Sequence, residues 1–316
     1  MKIQHQLIIT EAQKRGYKTT DVSDILDTLA VTIESETKSE LFIKGTPLTF
    51  INLRSLNYFD NKQLTKVALS KLGIPYPKSI LFRNPNDESL KSFFQKGKTY
   101  VCKPPNLAEG IGVEMNFKTL EAVQDYWSRH RHLGELFLLE EQIDGRDLRV
   151  QVIDGKIVAA CTREPAFVIG DGKNDLNNLI ENRRKVVQSQ NPMNDITADK
   201  ATLDLLKNQK IDLSDIPEKG RKIQLKELAN MSQGAVAIDV TEGLNPIFQT
   251  WIKRICDYLN TTYFAMDFIS KDFGENAENQ SVVLEINAQP EWLHHTFSEG
   301  KKHDIASMVL DSVFGK

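Results

Sequence analysis

This chain of 316 residues has few cysteines, no long apolar run and little excess of either charge. The three cysteines, Cys102, Cys161 and Cys256, lie far apart and form no CxxC pair, which argues against a disulfide framework and a cysteine-based zinc site. No run approaches the roughly 18 apolar residues of a membrane helix, and the N-terminus lacks the apolar core of a secretory signal. We therefore expect a cytoplasmic protein without a membrane partner.

The net charge is only −3, so the charge balance gives no reason to expect a nucleic-acid partner. The hydrophobic share of 40% and the charged share of 26% are typical of a soluble globular protein. A chain of this length can form two domains, or one large domain with lobes.

Apolar periodicity and cap residues predict a mixture of helices and strands. The stretch FDNKQLTKVALSKLG opens with an Asp/Asn cap and continues as an amphipathic helix with Leu64, Val67, Ala68 and Leu72 on one face. Asp154–Gly155 predicts a tight hairpin turn between two apolar runs, whereas residues 164–234 are polar and irregular. Helices are predicted at 4–15, 118–131, 176–189, 199–208, 246–259 and 303–314.

The segment VVLEINAQP, near the C-terminal end, places a glutamate and an asparagine inside an apolar run. Because side chains alternate along a strand, Val283, Glu285 and Asn287 are expected on one face, and Asp267 of the strand YFAMDFIS can face them across the loop 271–281. Two close carboxylates repel each other unless a cation neutralises them, and oxygen ligands favour Mg²⁺ or Mn²⁺. The alternative is an edge strand with polar residues facing solvent.

Two further stretches are compatible with a nucleotide. Lys103 ends the strand TYVC and precedes a loop with Gly110 and Gly112, an arrangement that suits a phosphate chain, although a solvated surface lysine is the simpler alternative. In LLEEQIDGRD an apolar strand changes abruptly to two glutamates, as an adenine-binding hinge does, and Asp147 could accept ribose hydroxyls. Taken alone, this stretch is equally compatible with an exposed strand end.

In chain order, NKQLTK, YVCKPP, the glycine loop, LLEEQIDGRD, FAMDFI and LEINAQP resemble the ATP-grasp superfamily. The longer phrases EEQIDGRDLRVQVIDGKIVAACTREPAFVIGDG, LKELANMSQGAVAIDVT and HHTFSEG are similar to the ATP-grasp module of cyanophycin synthetases and fused bacterial glutathione synthetases. The resemblance covers about residues 55 to 315. It implies an α+β fold with two lobes that hold ATP between them: a small N-terminal α/β lobe at 1–58, a first ATP-grasp lobe at 59–135, and a second at 136–316 with an insertion at about 164–234.

The resemblance also implies a role for each candidate site residue. Magnesium ligands, phosphate-contacting lysines, an adenine hinge, a ribose contact and groups near the transferred phosphoryl are expected. The magnesium ligands are Asp267, Glu285 and Asn287, and the phosphate-contacting lysines are Lys62 and Lys103. The adenine hinge consists of Glu140, Gln142 and Ile143, and Asp147 is the ribose contact. Arg163 and Asn230 are the groups near the transferred phosphoryl. Two Mg²⁺ ions, which Mn²⁺ could replace, are expected with the ATP. The roles of Arg149 and His295 stay unassigned.

The implied activity is ATP-dependent ligation of a carboxylate to an amine, with amino acids or short peptides as substrates and an acyl phosphate as intermediate. A phosphotransferase that acts on a hydroxyl group and a non-catalytic nucleotide-binding regulator are the alternatives. The sequence departs from the family at Ile111, Ala235 and Glu291, which puts substrate identity more in doubt than nucleotide chemistry. Because the N-terminal lobe is short, a homodimer is expected.

Overall fold

The computed structural model describes residues 2–107, 111–190, 192, 194–227, 229 and 231–315. The helices among them, in chain order, are α1 (Lys2–Lys14), α2 (Ser23–Leu26), α3 (Leu53–Asp60), α4 (Lys62–Lys71), α5 (Glu88–Phe93), α6 (Leu120–His130), α7 (Leu176–Gln190), α8 (Lys200–Asn208), α9 (Pro246–Leu259), α10 (Ala277–Gln280), α11 (Leu293–Thr296) and α12 (Ile305–Phe314). Three short 3₁₀ turns cover Leu48–Phe50, Arg131–Leu133 and Met231–Gln233.

The strands, also in chain order, are β1 (Lys18–Asp21), β2 (Ala30–Glu34), β3 (Ser39–Ile43), β4 (Thr46–Pro47), β5 (Ser79–Phe82), β6 (Tyr100–Lys103), β7 (Glu114–Phe117), β8 (Phe137–Glu141), β9 (Arg146–Ile153), β10 (Lys156–Glu164), β11 (Phe167–Ile169), β12 (Lys222–Gln224), β13 (Val236–Asp239), β14 (Phe264–Ser270) and β15 (Ser281–Asn287). Helices thus combine with antiparallel strand pairs, and the α+β class expected from the sequence is confirmed.

Contacts between residues divide the chain into two compact units. The first unit combines Met1–Phe50, Asp147–Glu242 and Pro290–Lys316. The second combines Ile51–Arg146 and Gly243–Gln289. The three segments expected from the sequence are defined by likeness to a family rather than by contacts, and that division stays a prediction.

In the second unit, β5, β8, β6 and β7 form an antiparallel sheet in that order. One face of this sheet and helix α6 bury an aromatic core that includes Tyr100, Tyr126 and Phe137. The Tyr126 hydroxyl donates to the carbonyl of Gly112 at 2.6 Å, so this core also holds the chain just before β7. The strand ends that carry Lys103 and Glu140 are therefore fixed by close packing.

Helix α4 begins where the sequence predicts and buries Ala68 as expected, but its buried face is shifted from the predicted one. The Asn61 side chain accepts hydrogen bonds from the backbone amides of Gln63 and Leu64, the second and third residues of the helix, which confirms the predicted cap. Leu64 and Val67, which were expected on the apolar face, are 39% and 41% exposed. The buried positions include Lys66, because a charged side chain can be buried where an ion pair and hydrogen bonds compensate the loss of water.

Helix α9 and the β14–β15 hairpin complete the second unit. Pro246 occupies the first turn of α9 after the capping residue Asn245, and Trp251 and Ile255 lie on its buried face, as the periodicity predicts. The connection between β14 and β15, expected to be a polar hairpin loop, contains the short helix α10. Asp272 organises this connection because its carboxylate accepts hydrogen bonds from the amides of Gly274 and Asn276.

In the first unit, β9 and β10 pair antiparallel through the predicted turn, where Asp154 and Gly155 both have positive φ values of 52° and 69°. Strand β13 pairs with the outer edge of β10. Strands β1 to β4 form a separate antiparallel sheet in sequence order. Helices α7 and α8, both predicted, pack with the β11–β12 ribbon around a core that includes Ile180 and Leu206.

Candidate functional site

Two carboxylates of the second unit meet across the β14–β15 hairpin. Asp267 lies directly opposite Glu285, and Ala265 lies opposite Asn287, so the predicted juxtaposition is present. The register shifts next to this pair: Phe268 is opposite Val283, which leaves Leu284 as an extra residue on β15. A bulge of this kind reverses the alternation of side chains along the strand.

The bulge corrects one expectation from the sequence. Val283, which was expected on the same face as Glu285 and Asn287, is fully buried, whereas the Glu285 side chain is 37% exposed. Asp267 is buried, at 3% exposure. The extra residue therefore separates a packing position on β15 from the polar positions that follow it.

The Asn287 amide lies between the two carboxylates. Its Nδ2 donates to Asp267 Oδ2 at 3.1 Å and lies 3.4 Å from Glu285 Oε1. The amide nitrogen thus occupies a position where positive charge would be stabilised, and rotation of the amide would turn its oxygen to the same place. Two carboxylates and one amide oxygen match the preference of Mg²⁺ or Mn²⁺ for hard oxygen ligands.

Metal sites built only from His, Cys, Asp and Glu side chains are absent from the described residues. Nowhere in that part of the chain do three His, Cys, Asp or Glu side chains cluster as metal ligands. The candidate set consists of Asp267, Glu285 and the neutral ligand Asn287. Remaining coordination positions of Mg²⁺ are commonly filled by water and by substrate phosphates.

Lys62 adds positive charge to this set from the first turn of α4. Its Nζ lies 3.8 Å from Glu285 Oε2 and donates at 2.9 Å to the carbonyl of Leu107. Burial lowers the pKa of Lys62 from its ordinary value, and the positive charge of Lys103 lowers it further, although Glu285 acts in the opposite direction. Lys62 thus connects the carboxylate pair with the chain segment that follows β6.

Lys103 and Glu140, predicted to act on different parts of a nucleotide, form one buried cluster with Lys66. Lys103 Nζ lies 2.7 Å from Glu140 Oε1, and Lys66 Nζ donates to the other carboxylate oxygen and to Ser79 Oγ. The side chains of Glu140 and Lys66 are each 4% exposed. One carboxylate therefore holds two ammonium groups, which leaves the cluster with an excess of one positive charge.

Burial and the mutual charges of the cluster shift the pKa values of Glu140 and Lys66. Burial opposes ionisation of Glu140, but Lys103 and Lys66 outweigh it and hold the pKa of the carboxyl below its ordinary value. Burial lowers the pKa of Lys66, while Glu140 acts in the opposite direction. Lys66 was missed in the sequence because lysine on a helix is usually a solvated residue; its spacing of four from Lys62, one helical turn away, was the available signal.

The remaining hinge residues follow the end of β8. Gln142 exchanges two hydrogen bonds with Asn116: Oε1 accepts from its backbone amide at 2.8 Å, and Nε2 donates to its side chain at 3.1 Å. The neighbouring Glu141 pairs with Lys98 at 2.5 Å. Ile143 is half-buried in the segment that follows. The roles of Gln142 and Ile143 toward adenine stay predictions.

The glycine loop after β6 is described only in part. Glu109 and Gly110 lie outside the described residues. Ile111, which replaces a polar residue of the family pattern, is 50% exposed. Gly112 has a φ of 69°, which favours glycine, and an added Cβ would also require the side chain of Leu133, 2.8 Å away, to move.

Two predicted site residues lie in the first unit, where they form a pair. Arg163 of β10 donates to both carboxylate oxygens of Asp147, from Nε at 2.6 Å and from Nη2 at 2.7 Å. Both side chains are largely buried, at 17% and 19% exposure. Asn230, predicted to face the same reaction centre, lies outside the described residues.

A second polar cluster of the first unit surrounds Arg149, which is 5% exposed. Its Nη2 donates to the carbonyl of Glu291 at 3.4 Å, and Glu291 Oε2 lies 3.4 Å from His294 Nδ1. Burial raises the pKa of Glu291, and burial together with Arg163 and Arg149 lowers the pKa of His294 well below its ordinary value. His295 is also buried, at 1% exposure. Glu291 therefore introduces a carboxylate beside two arginines and a histidine held neutral.

The described residues include no helix that combines the length and the hydropathy needed to cross a bilayer. No family model matches the chain.

The fold is the ATP-grasp fold expected from the sequence motifs. A solved bifunctional glutathione synthetase from Pasteurella multocida superposes with a TM-score of 0.75 at 21% identity, over 98% of this chain and 44% of that chain. At this identity the likeness concerns the fold alone.

Curated relatives carry the names expected from the sequence. Cyanophycin synthetase of Trichormus variabilis is 26% identical over 319 residues, which cover 98% of this chain and 34% of that protein. The glutathione biosynthesis bifunctional protein of Streptococcus mutans is 29% identical over 269 residues, which cover 80% of this chain and 35% of that protein. The chain thus spans about a third of the length of these relatives.

Proposed function

We propose that the chain is an ATP-dependent carboxylate–amine ligase that joins amino acids or short peptides and releases ADP and phosphate. The observation that carries the proposal is the grouping of Asp267, Glu285 and Asn287, with Lys62 3.8 Å from Glu285. Oxygen ligands for a divalent cation beside a half-buried ammonium group suit the triphosphate of ATP. Resemblance to named ligases over most of the chain supports the same reaction class.

The proposed roles follow the geometry of each unit. Asp267, Glu285 and Asn287 would hold two Mg²⁺ ions, or Mn²⁺ in their place, which when bound supply positive charge to the phosphates. Lys62 and Lys103 add fixed positive charge for the same phosphates. These lysines come from α4 and β6, elements fixed by packing, so their charge would not have to be reorganised during the reaction.

The remaining roles rest on the resemblance. The hinge residues Glu140, Gln142 and Ile143 are proposed to bind adenine. Arg163 and Asn230 are proposed to lie near the transferred phosphoryl group.

The chemistry explains why ATP is needed. A carboxylate is a poor acyl donor because an oxide or hydroxide would have to leave. Transfer of the γ-phosphoryl group to one carboxylate oxygen gives an acyl phosphate and ADP. Attack by the amine on the acyl carbon then forms the C–N bond, the amine loses a proton, and phosphate leaves. Fixed cationic groups around the phosphoryl oxygens stabilise the charge that develops there, and one such donor is commonly worth about 10²–10³ in rate.

The decisive experiment measures ADP and phosphate release with pools of amino acids and short peptides as acid and amine. We expect both products only when an acid and an amine are present together, and we expect hydroxylamine to replace the amine and give a hydroxamate. A phosphorylated product without phosphate release would favour a phosphotransferase. ATP that stays intact with every pool would favour a non-catalytic nucleotide-binding protein.

Two parts of the proposal concern the molecule as a whole. We propose a homodimer and a cytoplasmic location. Light scattering coupled to gel filtration gives the mass in solution, and the mass of a single chain at micromolar concentration would contradict the dimer.

A further inference from the structure

The β9–β10 hairpin of the first unit aligns an acid and an arginine that the resemblance assigns to separate tasks. Cys161 is paired with Arg149 in the antiparallel register, so the residues two positions further along, Arg163 and Asp147, are expected opposite each other on the same face. Both hydrogen bonds of the resulting fork are short, at 2.6 and 2.7 Å. This two-point geometry fixes the plane of the guanidinium as well as its position.

Burial makes this pair more than a surface ion pair. Exposures of 17% and 19% reduce the solvent screening that makes exposed pairs weak. A free arginine side chain samples many rotamers, and a two-point pair with a carboxylate on a rigid strand removes most of this freedom in advance. Arg149 lies two residues from Asp147 on the same strand, and Arg149 and Arg163 both lower the pKa of His294, so the carboxylate of Asp147 offsets part of the positive charge in this region.

We infer that Asp147 is a positioning residue that holds the Arg163 guanidinium in place, and that its main task is not a contact with the ribose. The inference rests on the proposed function, in which Arg163 meets the transferred phosphoryl group. A cationic group contributes most to a transition state when it is already oriented, because no reorganisation is then needed during the reaction.

Steady-state kinetics of Asp147→Asn test the inference, with the acid–amine pair found in the screen as substrates. We expect kcat to fall by about 10–100-fold, the size of effect that follows a displaced catalytic group, while KM for ATP changes by less than about 3-fold. Asp147→Glu keeps the charge and should recover part of kcat. A variant that loses thermal stability but keeps kcat would reduce the pair to a structural role and overturn the inference.

A double-mutant cycle tests whether Asp147 acts through Arg163. In an Arg163→Ala background, Asp147→Asn should lower kcat no further, because residues that act as a unit are strongly non-additive. Equal fold-losses in both backgrounds would overturn the inference.

The ribose alternative is tested by binding alone, so it does not depend on turnover. We expect the ratio of affinities for ATP and 2′-deoxy-ATP, measured by calorimetry with Mg²⁺, to be equal in the wild type and in Asp147→Asn. The same comparison with 3′-deoxy-ATP covers the second hydroxyl. If the variant no longer distinguished ATP from a deoxy analogue as the wild type does, a ribose contact of Asp147 would be shown and the inference would be wrong. If the wild type binds ATP but joins no acid to any amine, the proposed function fails, while this comparison still decides the role of Asp147.

Discussion

Substitution of Glu140 by glutamine changes the side chain little in size but should strongly destabilise the second unit. The change keeps the volume of the side chain but removes the charge that holds two lysines, Lys66 and Lys103. Two ammonium groups would then share a buried site with a neutral amide. The structure of the cluster therefore predicts destabilisation of the second unit, quite apart from any effect on nucleotide binding.

The magnitude follows from burial. Glu140 and Lys66 are each 4% exposed and Lys103 is 11% exposed, so water cannot replace the lost charge without opening the site. Removal of one partner from a buried ion pair typically costs about 3–5 kcal/mol. Because the glutamine oxygen still accepts a hydrogen bond, we expect the free energy of unfolding to fall by about 3 kcal/mol at neutral pH.

The loss of stability caused by Glu140→Gln should also become smaller as the pH rises. Burial already lowers the pKa of Lys66, and loss of Glu140 lowers it further. Between the lowered folded pKa and the unfolded pKa of about 10.4, the unfolded state binds more protons, so stability rises with pH. This rise begins at lower pH in the variant. The stability difference from the wild type should therefore shrink as the pH increases from about 7 toward about 10.

Urea denaturation at both ends of this range, with hydrogen exchange of β8 to locate the effect, measures the prediction. The matched control is Glu141→Gln, one residue further along β8, whose partner Lys98 is 40% exposed. We expect the control to change stability far less and without the pH dependence. Equal costs for the two substitutions, or a cost at Glu140 that grows with pH, would refute the reasoning.

Three further predictions concern the proposed site and the fold. Glu285→Gln should lower turnover by at least about 100-fold while thermal stability stays close to wild type, since its side chain is 37% exposed; activity that survives would contradict a metal role. Lys103→Ala should weaken ATP binding by about tenfold or more in calorimetry, whereas the control Lys98→Ala should not; equal affinities would remove Lys103 from the phosphate site. Gly170→Ala should cost about 1–3 kcal/mol in urea denaturation, because an added Cβ would lie 2.3 Å from the Glu218 carbonyl; the control Gly274→Ala meets its nearest atom at 3.4 Å, and similar stabilities of the two variants would contradict this steric argument.

Parts of this structure with a strong local signal could be predicted from the sequence. Helix α9 combines a cap at Asn245, a proline in its first turn and an unbroken apolar face, so its bounds match the expected 246–259. The pairing of Asp267 with Glu285 was predictable for a related reason. A short polar connection between two apolar strands leaves antiparallel pairing as the simplest arrangement.

The predictions that were wrong concern features that depend on contacts between residues distant in sequence. The Leu284 bulge has no local signal, because strand alternation alone continues Val283, Glu285 and Asn287 along one face. The buried face of α4 was misjudged for a different reason. Apolar periodicity assigns Leu64 to the core, but the position of Lys66 is decided by Glu140, 74 residues further along the chain.

The misjudged face of α4 bears directly on the chemistry of the site. If Lys103 and Glu140 stood alone, the pair would carry no net charge. Lys66 occupies the second carboxylate oxygen from the buried face of α4, so the cluster retains one positive charge. Lys62, one helical turn earlier on α4, adds a second cation close to Glu285. The same helix thus supplies a lysine to each carboxylate, and its rotation, rather than any single motif, determines where the second unit can attract an anion.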